Sequence, residues 1–215
     1  MDTLRLVIAG VGGQGTLLAS QLLAQSAIEA GLPVKISETY GMAQRGGPVM
    51  GHVQIGDDAF CPQIRPGEAD VLLGFEIGEA VRRGVTYLKC EGLAIVNTRR
   101  LPPVEVISGI AAYPSNIELL TLLGKVTSDI FTFDATLLAE EAGDPITTNI
   151  VMIGALIASE RLPLPKETVA DVIKKSLRSA YFDTNIRAFE MGKKAFMTWN
   201  KEYKKNIAIH DHAHD

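Results

Sequence analysis

The stretch GVGGQGTLLAS, Gly10 to Ser20, follows directly on the apolar run LRLVIA. It sets Gly10, Gly12 and Gly15 in the spacing G-x-G-x-x-G, with Gly13 and Gln14 between them. A glycine turn between a strand and a helix leaves backbone N–H groups at the helix N-terminus. An anion there gains about 0.3–1 kcal/mol, and up to ~2 when partly buried. Glycines at the first two positions allow a tight turn and a close backbone approach, and the third lets helix and strand pack closely. Two readings stay open on these residues alone: an anion cradle, and a tight turn that only packs. A dinucleotide site would also need an acid at the end of the second strand to hold a ribose. Glu38 stands there, 23 residues after Gly15, but it opens a glycine-rich loop instead of a helix. Nor is there a candidate hydride-transfer site. His52 lies in an expected hairpin, and His210, His212 and His214 lie in the C-terminal tail.

That loop, ETYGMAQRGGP, is the second segment with chemical potential. Arg45 is the only Lys or Arg between Lys35 and Arg65, and Gly46 and Gly47 follow it. Its planar guanidinium can meet a phosphate or carboxylate through two parallel N–H bonds. A salt bridge to another subunit, or a brace within the loop, is the alternative. Tyr40, Met42 and Gln44 extend this surface and read as packing or interface. Cys61 and Cys90 are the two cysteines, read as buried, unremarkable thiols, and no C-x-x-C occurs. Iron–sulfur clusters normally take four thiolates and structural zinc about four ligands, so neither is expected on this chain alone. Asn149 reads as a helix cap, worth about 1 kcal/mol. The tail histidines stand among Asp211 and Asp215 and read as solvated residues without a metal.

These residues need elements to hold them. Leu4 to Ala9 reads as a buried strand bounded by glycine. Thr16 to Ala30 reads as a helix, with Gly31 at its stop and Pro33 beyond. Residues 34–37 read as a second strand, so the chain opens with a strand–turn–helix–strand unit that favours a parallel sheet. VMGHVQIGDDAFCPQI then reads as a hairpin turning at GDD. Further strands are expected at 69–75, at 93–97 after the turn CEG, and around DIFTFDA. Helices are expected over Ile77–Leu88, after the capping box SNIE through Leu123, and over TLLAEEAG. The last third reads as helical: IVMIGALIASERL, apolar all round at its start and hence buried; Lys166 to Leu177; and a long helix from Asp183 or Thr184 toward Lys205.

Composition narrows the class. The chain has 215 residues, 47% hydrophobic and 21% charged, an ordinary globular mix, with a net charge of −4. A nucleic-acid binder would carry a basic excess. The N-terminal stretch has no basic region or cleavage site of a secretory leader, and the longest apolar run, Ile150 to Ala158, is too short to span a bilayer. The expectation is a cytoplasmic protein with no membrane or nucleic-acid partner.

Together, GVGGQGTLLAS, ISETYGMAQRGGPVMGHVQIGD, EADVLLGFE, IVNTR, TTNIVMIGAL and NIRAFEMGKKA resemble the gamma-type subunits of 2-oxoacid:ferredoxin oxidoreductases, over roughly residues 3 to 197. These are the subunits of the pyruvate, ketoisovalerate and 2-oxoglutarate enzymes, and the likeness is greatest to the indolepyruvate type. Gln14 resembles part of that family's signature and is not a dehydrogenase feature. The resemblance implies an α/β, Rossmann-like open sheet, mostly parallel, with an inserted β-hairpin and a C-terminal helical region. It implies one module over residues 1–205, and the polar, short stretch beyond it reads as a flexible tail over 206–215. It further implies a complex that oxidatively decarboxylates a 2-oxoacid to an acyl-coenzyme A. Thiamine diphosphate with Mg would act as electron sink, and iron–sulfur clusters would pass electrons to ferredoxin. Those groups would lie on companion subunits. The GDD of this chain is not followed by the paired-asparagine motif of the family's thiamine-diphosphate site. The residues it implies for ligand contact are Gly10, Gly12, Gly13, Gln14, Gly15, Arg45, Gly46 and Gly47, with no catalytic residue or metal ligand. A stand-alone NAD(P)- or flavin-dependent oxidoreductase and a non-catalytic nucleotide-binding module remain the alternatives.

Overall fold

A computed structural model of the protein describes residues 2–41, 46–177 and 181–211. The first apolar run forms β1 (Leu4–Val11). Its side chains alternate between two hydrophobic cores, Leu6 and Ile8 in one, Val7 and Ala9 in the other. A strand covered on both faces reads as a continuous apolar run, which is why the sequence signal is clear. α1 (Thr16–Glu29) follows and stops at the expected glycine. The Gly31 N–H donates to the Ile28 carbonyl at 3.0 Å and the Leu32 N–H to the Ala27 carbonyl at 2.9 Å, which satisfies two of the helix's last carbonyls.

β2 (Val34–Tyr40) and β3 (Pro48–Ile55) form an antiparallel hairpin, and it is β3 that pairs with β1. On the other side of β1 lie β4 (Ala69–Gly74), β5 (Leu88–Asn97) and β6 (Ile130–Phe133), all parallel to it. The six strands run in the order β2-β3-β1-β4-β5-β6. The sheet is mostly parallel with an inserted hairpin, as expected, but the hairpin is in a different place. Its arms are β2 and β3, joined through residues 41–47; the GDD turn is followed by no second arm. Pro62 interrupts that stretch, and Phe60 to Gln63 are exposed. The expected turn at CEG is also absorbed: β5 runs through it, with Glu91 at φ 65° and a register shift against β4.

α2 (Ile77–Tyr87) and α4 (Asn116–Leu123) cover one face of the sheet. Ser115 and Glu118 form the capping box read from the sequence, with the Glu118 N–H on Ser115 Oγ at 3.2 Å and the Ser115 N–H on Glu118 Oε2 at 2.7 Å. Between β5 and α4 lies a one-turn helix, α3 (Val104–Ile107), too short to show a period in the sequence. α5 (Ala135–Ala142), α6 (Thr148–Ala158), α7 (Lys166–Ser176) and α8 (Phe182–Asp211) join α1 on the opposite face. α6 is buried, as its apolar composition predicts, and crosses α8 at backbone contact. A Cβ on Gly154 would run into the Phe189 carbonyl, and one on Gly192 into the Val151 carbonyl. The backbone of α8 is helical to Asp211, with neither glycine nor proline after Gly192 to stop it. His212 and His214 lie outside the described residues.

Candidate functional site

β1, β4, β5 and β6 are parallel, so their carboxyl ends share one edge of the sheet. The β2–β3 connection opens on the same edge, because Val11, at the end of β1, pairs with Pro48, at the start of β3. The two sequence segments singled out above therefore meet. The Gly12 N–H donates to the Gly47 carbonyl at 2.9 Å, and the Gly46 N–H to the Gly12 carbonyl at 3.2 Å. Met42, Gln44 and Arg45 lie outside the described residues. Tyr40, at the end of β2, is exposed and donates its hydroxyl to Glu38 Oε2 at 2.7 Å.

Gln14 is the member of the turn that a dinucleotide motif does not require, and the geometry gives it work. Its Oε1 accepts the Val11 N–H at 2.9 Å, and its Nε2 donates to the Phe75 carbonyl at 2.9 Å. Phe75 directly follows β4, so this one side chain spans the gap between the ends of β1 and β4. The same carbonyl also accepts from Asn97 Nδ2 at 3.0 Å, at the end of the neighbouring β5. Gly10 leaves room for this arrangement: a Cβ there would stand 2.8 Å from Gln14 Oε1 and 2.9 Å from the Phe75 Cβ.

In open α/β sheets that gap, where the chain reverses its direction of travel across the sheet, is where nucleotides usually bind. Here it is bridged by Gln14 and flanked by acids. A pocket of about 560 Å³ beside it is lined by Glu76, Glu79 and Glu105, with Arg82 and Tyr113. Glu76 is buried and caps α2, its Oε2 accepting the Glu79 N–H at 2.9 Å, while Tyr113 donates its hydroxyl to Glu76 Oε1. Burial, followed by that hydrogen bond, pushes the Tyr113 phenol above its ordinary range. Burial also raises the Glu79 carboxyl, against the opposing pull of Arg82 and Arg83. Phosphates would meet carboxylates here. Glu38 is also misplaced for a ribose: with β3 inserted, β2 lies two strand spacings from β1, roughly 9–10 Å. The dinucleotide reading finds no support in this geometry.

A second pocket, of about 490 Å³, lies on the helical side of the turn and is lined by Gly13, Gly15, Asn149 and Asn185, among others. Asn149 does not cap its helix. Asp144 caps a short 3-10 turn, Pro145–Thr147, with its Oδ1 on the Ile146 N–H at 2.9 Å, and this turn leads into α6 with Thr147 at the cap position. Asn149 lies inside the first turn, where its Oδ1 accepts the Ile150 N–H at 3.0 Å. It is only 3% exposed and packs on Gly15, where an added Cβ would stand 2.8 Å from Asn149 Nδ2.

Residues 5–195 match the family model for pyruvate ferredoxin/flavodoxin oxidoreductase. The chain belongs to the pyruvate ferredoxin/flavodoxin oxidoreductase family. Within it, the chain is 44% identical to the indolepyruvate oxidoreductase subunit IorB of Pyrococcus horikoshii, over 91% of this chain and 96% of that protein. It is 31% identical to the common gamma subunit of the pyruvate/ketoisovalerate oxidoreductases of Thermococcus kodakarensis, over 84% and 90%. The crystal structure of the pyruvate oxidoreductase subunit PORC of Thermotoga maritima superposes with a TM-score of 0.66 at 28% identity, over 90% of this chain and 97% of that one. The chain is therefore a gamma-type subunit of the family, matched nearly end to end.

The family's redox groups do not fit this chain's own donors. Cys61 and Cys90 are free and, against the expectation of buried thiols, exposed, and a cluster takes four thiolates. Among the described residues, no group of three or more His, Cys, Asp or Glu could hold a metal ion. No helix among them is long and apolar enough to cross a membrane.

Proposed function

We propose that this gamma-type subunit works inside a cytoplasmic 2-oxoacid:ferredoxin oxidoreductase whose companion subunits hold thiamine diphosphate, Mg and the iron–sulfur clusters. The assembly oxidises a 2-oxoacid to an acyl-coenzyme A and delivers the electrons to ferredoxin. This chain contributes no redox centre. Residues 1–205 act as one module that presents the carboxyl edge of its sheet to the assembly. The observation that carries this reading is the pair of hydrogen bonds joining Gly12 to Gly46 and Gly47. They lock the glycine turn to the end of the QRGG loop, so two separate sequence signatures become one surface. Arg45 stands next to that lock in sequence. A planar guanidinium at that position suits an anionic group at the shared active site or on coenzyme A.

A second feature fits a chain built for partners. From the segment after β5 into the first turn of α4, Val104, Ile107, Ile110 and Ile117 are each at least 75% exposed. Exposed apolar residues gathered in one segment mark an interaction surface. The deciding experiment is reconstitution. The purified chain is expected to be colourless and unable to reduce a viologen dye with any 2-oxoacid and coenzyme A. Activity is expected on adding the companion subunits. Robust turnover by the chain alone would overturn the assignment.

A further inference from the structure

Residues 101–114, which link β5 to α4, add nothing to the core. None of them is buried, and only Val106 and Tyr113 are half-buried. The middle of the segment is self-contained. The Ile107 N–H donates to the Pro103 carbonyl at 3.1 Å and the Ser108 N–H to the Val104 carbonyl at 2.8 Å. Ile110 and Ala111 both donate to the Glu105 carbonyl, at 2.8 and 3.0 Å. Among the described residues, every hydrogen bond of residues 103–111 stays within that stretch.

The two ends are tied down instead, and to one oxygen atom. Glu76 Oε1 accepts both the Leu101 N–H, at 3.4 Å, and the Tyr113 hydroxyl. The Tyr113 oxygen in turn accepts the Gly78 N–H at 3.2 Å. The Arg100 guanidinium lies over the Tyr113 ring, 5.6 Å from its centroid, so the entry and exit of the segment run side by side. Glu76 itself is fixed. It is buried, and its other oxygen caps α2 through the Glu79 N–H.

We propose that residues 101–113 form a detachable arm, that Glu76 is the clasp holding it shut, and that the clasped arm presents Val104, Ile107 and Ile110 to a companion subunit in a fixed shape. The presenting role rests on the function proposed above; the clasp does not. Releasing one carboxylate oxygen frees both ends together. What is left is α3, a single turn without a buried residue, and one helical turn does not persist by itself in water. The arm therefore opens as one cooperative unit while the sheet stays folded. Closing it beforehand spares a partner the entropy of ordering it on binding. The arm's only charge is Glu105, which is exposed. The surface it fits is thus an apolar patch of the companion subunit with a Lys or Arg beside it.

The clasp is tested by native-state hydrogen exchange on the isolated full-length chain. The amides of Ile107, Ser108, Ile110 and Ala111 are expected to share one opening constant. Tyr113→Phe removes one tie and leaves Glu76 in place. It should raise that constant at least about tenfold, with the amides of Leu72 and Ile95 in the sheet unchanged. In a Glu76→Ala chain, Tyr113→Phe should add far less. Arm amides indifferent to Tyr113→Phe, or accelerating only together with the sheet, would overturn the clasp. Companion subunits should then slow the same four amides in the native and Tyr113→Phe chains alike, and Glu105→Lys should slow association with them. Assembly without that slowing would overturn the presenting role. So would slowing that grows with the concentration of the isolated chain, which would assign the arm to a second copy. A chain that joins no companion subunit overturns the presenting role along with the function it rests on, while the clasp is decided without partners.

Discussion

A single carboxamide, that of Gln14, ties the ends of two strands by accepting from Val11 and donating to Phe75. Truncating it to alanine leaves the Val11 N–H unmet in a confined place and removes one of the two bonds on the Phe75 carbonyl, at a cost of about 1–3 kcal/mol. For a protein of this size each kcal/mol lowers Tm by ~2–4 °C. Gln14→Ala should therefore melt several degrees lower in a scanning calorimeter, and an unchanged Tm would show that the bridge is dispensable. His52 supplies a pH-dependent counterpart. It is 2% exposed, and its Nδ1 accepts the Ile64 N–H at 3.3 Å, a bond that the protonated ring cannot accept. Burial first, and the charge of Arg83 second, hold its pKa below the ordinary 6.5. The unfolded chain thus takes up this proton at a higher pH than the folded one. The stability is fully present above 6.5 and is lost as the pH falls toward the folded value. Tm should fall on acidification from about pH 7 to about pH 5, and His52→Gln should flatten that fall. An equal slope in both proteins would clear His52 of the effect. At this scale the glycine spacing was legible from local sequence. The partner of Gln14, 61 residues away, was not.

Helix and strand boundaries were legible wherever the signal was local: the glycine stop of α1, the capping box of α4 and the apolar body of α6. The misreadings arose where a local signal had two uses. Asn149 satisfies the requirements of a cap, yet Asp144 caps the turn before α6, Thr147 holds the N-cap position, and Asn149 lies within the first turn with its Oδ1 on the Ile150 N–H. GDD satisfies those of a hairpin turn, yet the strand before it found both its partners, β1 and β2, on the N-terminal side. The crossing of α6 and α8 is a tertiary fact of the same kind, and it reverses an ordinary expectation. Glycine inside a helix is normally about 0.5–1 kcal/mol worse than alanine, so Gly→Ala usually stabilises. At Gly192 the new methyl would strike the Val151 carbonyl, and forcing extra volume into a packed contact costs about 1–3 kcal/mol or more. The clash outweighs the propensity gain. Gly192→Ala should unfold at lower denaturant than the native chain, and a stabilised variant would mean that the helices can separate freely.

For the whole molecule, composition and motif order sufficed to place the chain in an α/β class and in its family. They could not show which surface meets a partner, because exposure depends on how distant segments pack. The residues of that surface carry their own test. In hydrogen-exchange measurements, amides over residues 104–117 should exchange fast in the isolated chain and slow on reconstitution, because burying Val104, Ile107, Ile110 and Ile117 is expected to accompany assembly. Equal exchange in both states would move the partner surface elsewhere. The inserted strand has a further consequence, for the order in which the molecule is made. β3 is the only antiparallel member of the sheet, and it must settle between β1 and β2. Its pairing with β2 closes a short loop, Tyr40 opposite Val49, whereas its pairing with β1 joins Leu4 to Ile55 across the whole of α1. Short closures are entropically cheaper and faster. The hairpin is therefore expected to form first, as a two-stranded unit that docks onto β1 from the side. The lock between Gly12 and Gly46–Gly47 then closes as the last stitch of that docking, so the surface offered to partners exists only once the sheet is complete.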